Sequence, residues 1–205
     1  GDAAQKRCNE LLRKREAEEA EEAKKRMETS IDMLKAAASA RMVIEAVVEQ
    51  LEVKQALFAK LDEVLPVEVP ICSNTSGLRI TDISGTCKKP ERTVTTHFWL
   101  PAHLVPLVEV VMGEKTERVV AEGVRDELKK WKKSPVLVQR DLPGQLANRV
   151  FQAIIRESVA IVASGLASAE DVDTAISCGM AMRFPEWGPL KHLDAIGLNL
   201  GLAVQ

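Results

Sequence analysis

The chain has 205 residues, 46% of them apolar and 28% charged, with 28 Lys+Arg against 30 Asp+Glu for a net charge of −2. This composition excludes a wholly disordered chain, a collagen-like one and a disulfide scaffold, and the near-neutral balance excludes a dominant basic field for nucleic acid. No apolar run approaches the ~18 residues that cross a bilayer, the N-terminus is charged rather than signal-like, and Cys8, Cys72, Cys87 and Cys178 lack C-x-x-C or paired Cys/His spacing, so the expectation is a soluble cytoplasmic protein with no metal and neither nucleic-acid nor membrane partners.

Residues 1–30 hold eight Lys/Arg and eight Asp/Glu, with only Leu11, Leu12 and Met27 as large apolar side chains. Gly and Pro are absent from position 2 to position 65 and strong helix formers dominate, which predicts a charged helix that buries little. Apolar a and d positions for a coiled coil are missing. Residues 42–48 read as a buried strand, and the apolar spacing at 51, 53, 57, 58, 61 and 64 predicts a helix. A short strand at 69–72 runs into the polar turn Ser73-Asn74-Thr75-Ser76-Gly77, followed by a short helix at 80–84. Strands are expected at 93–98, 107–111 and 136–138, with an amphipathic helix at 117–131. Short strands alternating with helices imply right-handed crossovers and a mainly parallel sheet. Beyond Asp141-Leu142-Pro143-Gly144 only helical periodicity remains, at about 145–164, 168–181 and 187–200, the second opened by Ser168 with Asp171 three residues on. An α/β part, 1–141, is thus expected to precede an all-helical part, 142–205.

Histidine is scarce, and His97 closes the run Thr93-Val94-Thr95-Thr96-His97-Phe98, where the end of a parallel strand opens onto a ligand crevice. Glu109 lies inside the apolar run Leu107-Val108-Glu109-Val110-Val111, where a carboxylate is costly to bury without a partner. A strand-loop-strand connection of this length brings the two side chains within reach. Two readings stand side by side: a proton-transfer pair in which the carboxylate orients the imidazole, or a hydrogen-bonded strand histidine beside an edge glutamate. The turn at Ser73–Ser76 faces the same crevice and suits either a carbonyl or ribose ligand or a helix cap. Glu45, Glu49 and Lys54 follow the first strand, as site residues or as surface charges.

Taken in order, these pieces resemble the 3-hydroxyacyl-CoA dehydrogenase family. The matching stretches are Val43-Ile44-Glu45-Ala46-Val47-Val48-Glu49, Ser73-Asn74-Thr75-Ser76, Pro90-Glu91-Arg92, His97-Phe98, Pro106-Leu107-Val108-Glu109-Val110-Val111, Gly144 with Asn148-Arg149, Asp171-Val172-Asp173-Thr174-Ala175 and Gly188-Pro189-Leu190. The fold class implied is α/β, an N-terminally truncated Rossmann-type parallel sheet followed by an all-α C-terminal domain that dimerises in this family. The resemblance implies NAD as cofactor. It makes His97 the base that takes the hydroxyl proton as hydride leaves, and Glu109 the residue that orients it. Ser76 then contacts the reacting oxygen or the nicotinamide end, Glu49 and Lys54 lie beside the ribose, and Asn148 closes the site from the helical domain. The implied substrate is a 3-hydroxyacyl-CoA of fatty acid metabolism. Met182-Arg183-Phe184 is more similar to the L-gulonate 3-dehydrogenase and lambda-crystallin relatives, in which Arg183 would pair with a free carboxylate; capping a helix end or pairing with Glu186 is the other role for it.

The sequence departs from the family pattern in three places. The first glycine after Gly1 is Gly77, so no G-x-G-x-x-G turn precedes the matching region, and the chain is expected to begin after the family's second strand. His97-Phe98-Trp99-Leu100-Pro101 stands where the family commonly has His-Phe-Phe-Asn-Pro, which removes one amide. The chain reaches Gln205 soon after Gly188-Pro189-Leu190, where the family's helical domain continues. A non-catalytic remnant of the family is the competing expectation.

Overall fold

The computed structural model describes residues 17–203, and its contacts divide the chain into two units, Gly1–Pro143 and Gly144–Gln205. In the first unit one sheet takes its strands in sequence order: β1 (Val43–Glu45), β2 (Ile71–Ser73), β3 (Thr93–Phe98), β4 (Leu107–Met112) and β5 (Ser134–Val138). β1, β2 and β3 run parallel, as do β4 and β5, while β3 and β4 are antiparallel. The reversal follows from the connection: residues 99–106 are too few for a crossover helix, so β4 returns directly alongside β3.

Beside helical residues 17–24, this unit holds the helices α1 (Met33–Ala37), α2 (Leu51–Val64), α3 (Ile80–Ile83) and α4 (Arg118–Lys130). Because successive strand residues face opposite sides, the sheet carries two cores. On one side Val43 and Ile71 pack with Phe58, Leu61, Leu65, Val69, Ile80 and Ile83, under α2 and α3. On the other, Cys72, Val94, Val108 and Val110 meet Ala121, Val124 and Leu128 of α4. The same alternation places Glu45, Ser73 and Thr95 in one lateral row and His97 opposite Glu109 one step further along.

A buried ion pair ties this framework together. Arg92, just before β3, donates Nε and Nη2 to Asp62 Oδ1 of α2 at 3.2 and 2.8 Å, and its remaining N–H groups reach the carbonyls of Asp62, Leu65, Pro66 and Val69. The other oxygen, Asp62 Oδ2, accepts from the backbone N–H groups of Lys88 and Lys89. Burial alone pushes the Asp62 carboxyl up; the Arg92 hydrogen bonds, the two N–H groups and the Arg92 charge outweigh it and hold the carboxyl below its ordinary value.

Two sequence expectations need correction here. The charged N-terminal segment is helical at 17–24 but not through residue 30; residues 1–16 lie outside the described ones. With little to bury, the chain leaves the helix and restarts at α1, where Asp32 accepts from the N–H groups of Leu34 and Lys35. The first strand is also shorter than 42–48. The Val47 N–H donates to Glu45 Oε1 at 2.6 Å, which ends the ladder and leaves Val48 exposed.

The second unit is helical: α5 (Leu146–Ala163), α6 (Ala169–Ala175), α7 (Pro189–Ile196) and α8 (Leu198–Ala203). Ser168 caps α6 by accepting from the Asp171 N–H. The expected helix at 168–181 widens into a single π turn, Ile176–Met180, and then a tighter turn, Ala181–Arg183. The expected helix at 187–200 is broken at Gly197, whose φ of 87° suits glycine and ends α7. Among the described residues no helix is long and apolar enough to cross a membrane, and no cluster of three His, Cys, Asp or Glu side chains is placed to hold a metal.

Candidate active site

The parallel strands β1 to β3 all end at the same end of the sheet, and it is beyond such carboxyl ends that sheets of this kind take their ligands. β1 ends in Glu45, whose carboxylate is buried and fully engaged. Its Oε1 pairs with Lys54 Nζ at 2.6 Å and its Oε2 accepts from the Ser73 hydroxyl at 2.7 Å. Lys54, on the first turn of α2, is equally buried and also faces Glu49 Oε2 at 3.3 Å and the Val47 carbonyl at 3.4 Å. Two carboxylates therefore surround one ammonium, which compensates the desolvation of the Lys54 charge.

Glu49 spans from this cluster to the turn after β2. Its Oε1 accepts from the N–H groups of Ser76, Gly77 and Leu78 at 3.1, 3.0 and 3.4 Å and from the Thr75 hydroxyl. Burial raises the Glu49 carboxyl, but the Thr75 hydroxyl, the Gly77 N–H and Lys54 lower it further, so the group lies below its ordinary value and is anionic at neutral pH. Its side chain is still 43% exposed and so remains accessible to a ligand hydroxyl. Ser76 is exposed beside it, whereas the hydroxyls of Ser73 and Thr75 are spent within the protein.

Across the sheet, His97 of β3 and Glu109 of β4 are direct register partners, with Nδ1 and Oε2 2.7 Å apart. Glu109 is fully buried and His97 is 7% exposed. The Trp99 indole N–H donates to the same Glu109 oxygen at 3.0 Å. The Asn74 side-chain oxygen accepts from the Phe98 N–H at 2.9 Å, which ties the end of β3 to the turn after β2. An imidazole anchored at Nδ1 presents Nε2 as its second polar atom, the arrangement a general base needs.

Of the residues singled out from sequence, the structure thus joins His97 to Glu109, and Glu49 to Lys54 and the Ser76 backbone. Asn148 stands half-buried at the start of α5 and Arg183 is exposed in the turn Ala181–Arg183, both in the second unit. Arg183 lines an apolar cavity of about 730 Å³ in that unit, with Ile154, Met180, Phe184, Trp187 and His192. Sequence reasoning did not single out Trp99 or the closed Glu45–Lys54–Ser73 cluster. Strand alternation through 97 and 99 was the available signal for the first; the second depends on the register between β1 and β2.

An exposed anionic carboxylate beyond the end of β1 is a suitable acceptor for hydroxyls such as those of a ribose. Glu49 and Ser76 are the exposed groups that would hold a dinucleotide there, with the buried Lys54 fixing Glu49. Among the described residues the first glycine is Gly77, so a glycine-rich phosphate turn is not among them.

Comparison with known proteins bears on the family and the fold. Residues 2–142 match the family model for the NAD binding domain of 3-hydroxyacyl-CoA dehydrogenase, and residues 144–205 match the model for its C-terminal domain. A 5-formyl-3-hydroxy-2-methylpyridine 4-carboxylate 5-dehydrogenase of Mesorhizobium japonicum is 35% identical over 82% of this chain and 55% of its own length. A 3-hydroxybutyryl-CoA dehydrogenase of Clostridioides difficile is 37% identical over 80% of this chain and 57% of its own, and an L-carnitine dehydrogenase of Streptomyces coelicolor is 37% identical over 82% and 53%. The chain therefore spans a little over half the length of these curated relatives. Among solved structures, a 5-formyl-3-hydroxy-2-methylpyridine 4-carboxylic acid 5-dehydrogenase, described as an NAD-dependent dismutase, superposes with a TM-score of 0.79 at 34% identity, over 85% of this chain and 57% of that one. The (S)-3-hydroxybutyryl-CoA dehydrogenase of Ralstonia eutropha superposes with a TM-score of 0.75 at 30% identity, over 96% and 68%.

Proposed function

Because the chain belongs to the 3-hydroxyacyl-CoA dehydrogenase family, whose members are NAD-dependent oxidoreductases, we propose that it carries the catalytic half-site of an enzyme oxidising a 3-hydroxyl to a 3-keto group. The observation that carries this reading is the His97–Glu109 pair, buried near the carboxyl end of β3 with the imidazole held at Nδ1. His97 Nε2 takes the proton from the substrate hydroxyl. Glu109, 2.7 Å from Nδ1, stabilises the imidazolium that results. NAD, when bound, supplies the acceptor for the hydride that leaves C3. Glu49 accepts from the ribose, Lys54 holds Glu49 in place, and Ser76 contacts the reacting oxygen or the nicotinamide end.

The substrate is a 3-hydroxyacyl-CoA or a free 3-hydroxy acid. A free carboxylate suits the exposed Arg183 guanidinium, and the L-carnitine dehydrogenase relative acts on a free hydroxy acid by its name. The reading extends to a cytoplasmic enzyme of acyl metabolism, supported by free thiols at Cys72, Cys87 and Cys178. It also extends to a homodimer formed through the helical unit, where α5 leaves Val150, Phe151 and Val159 more than half exposed. The test is NADH formation at 340 nm with L-3-hydroxybutyryl-CoA, L-carnitine and L-gulonate. Turnover of one class over the others is the expected outcome. Absence of turnover with all three and with NADP contradicts the reading and leaves a non-catalytic member of the family.

A further inference from the structure

The residue two positions after His97 is a tryptophan whose only polar atom is a donor. Its indole N–H and the His97 ring converge on one atom, Glu109 Oε2, at 3.0 and 2.7 Å. The two rings lie 6.1 Å apart and are tilted by 57°, so the tryptophan flanks the imidazole and does not stack flat upon it. Trp99, the first residue after β3, thus supplies a donor to a carboxylate buried on β4.

We propose that Trp99 is a positioning residue for the His97–Glu109 pair: its N–H fixes the Glu109 carboxylate as a shared acceptor and tempers the hold of that carboxylate on the charged form of His97. The physical argument has two parts. A carboxylate oxygen with two donors cannot swing about its terminal torsion without losing one of them, so the plane that meets His97 Nδ1 is set. A donor on that oxygen also withdraws charge from it, which weakens its attraction for an imidazolium.

The charged groups around His97 leave Glu109 as the one it is paired with. On β1 and α2, Glu45, Glu49 and Lys54 are engaged with one another. On β2 the titratable side chain is Cys72, pushed up to about 12 by burial and placed on the opposite face with Val94 and Val110. β5 contributes no titratable side chain. The proposal gives meaning to the catalytic reading above, but its test needs no turnover.

The experiment follows the His97 ring by ¹H–¹⁵N NMR through a pH titration of the 205-residue chain. Wild type is compared with Trp99→Phe and with benzothienylalanine installed at position 99, which keeps the bicyclic ring and replaces only the N–H. A His97→Asn sample assigns the signal among His97, His103 and His192. Both variants are expected to raise the proton affinity of His97 about threefold, a midpoint shift of about half a pH unit upward, while His103 and His192 stay where they are. A midpoint unchanged or lowered in the benzothienylalanine protein overturns the proposal, whatever Trp99→Phe does through packing. Loss of NADH turnover in every protein including wild type would count against the dehydrogenase reading and leave this comparison intact.

Discussion

His97→Asn is expected to lower kcat for oxidation of the 3-hydroxy substrate by about 10²–10⁴-fold, the range a general base contributes. The asparagine amide still offers a donor toward Glu109, so the buried carboxylate keeps hydrogen bonds and the fold is retained. The thermal midpoint should move by no more than a few degrees, and the affinity for NADH should stay within about twofold, since the proposed cofactor residues lie on the connection between β1 and α2, on α2 and on the turn after β2. Glu109→Gln should cost less in kcat, because the amide oxygen still accepts one hydrogen bond but no longer balances an imidazolium. Stopped-flow and steady-state rates at saturating NAD separate the two. A His97→Asn protein that keeps more than about a tenth of wild-type kcat would remove the base from the account.

The second large effect concerns stability. Removing one partner of the Arg92–Asp62 pair leaves the other charge buried, and Asp62→Ala or Arg92→Ala is expected to cost about 3–5 kcal/mol. Both side chains are 2% exposed, so water does not replace the lost partner cheaply. Urea unfolding of the full chain measures this, with the midpoint falling and the slope preserved. The pH dependence has a definite sign. A carboxyl held below its unfolded value contributes stability that is present above about pH 4, the unfolded value, and is lost as the pH falls through the folded value. Wild type should therefore lose stability on acidification in this window, and Asp62→Asn should show a flatter profile. Equal slopes in the two proteins would mean the carboxyl contributes nothing through its ionisation.

Much of this architecture follows from patterns visible in the residues. The period of α2 places Phe58 and Leu61 inward, and its observed bounds, Leu51–Val64, are those the spacing predicts. The apolar run around Glu109 and the β-rich run ending at His97 are also plain, and a tight connection between them leaves few ways to arrange the pair. What the chain did not disclose depends on register and on where elements stop. Glu45 reads as one more charge after a strand until β1 and β2 align it with Ser73 and α2 brings Lys54 over it. The end of β1 is set by a side chain accepting the Val47 N–H, a local event with no periodic signature. The charged N-terminal stretch misleads in the other direction, because helix propensity alone carries no information about what the helix would pack on. Trp99 is the instructive case: its value lies in one N–H aimed at an atom ten residues away, and only the antiparallel return of β4 supplies that atom.

The most direct test of the central claim is transfer of the substrate's own hydrogen. The chain would be incubated with NAD and 3-deuterated L-3-hydroxybutyryl-CoA, and in parallel with the 3-deuterated free hydroxy acids, and the nicotinamide product analysed by mass. NADH carrying the deuterium is expected, formed with one of the two substrate classes and lost in His97→Asn. No reduced cofactor from any substrate, or NADH free of deuterium, would contradict it.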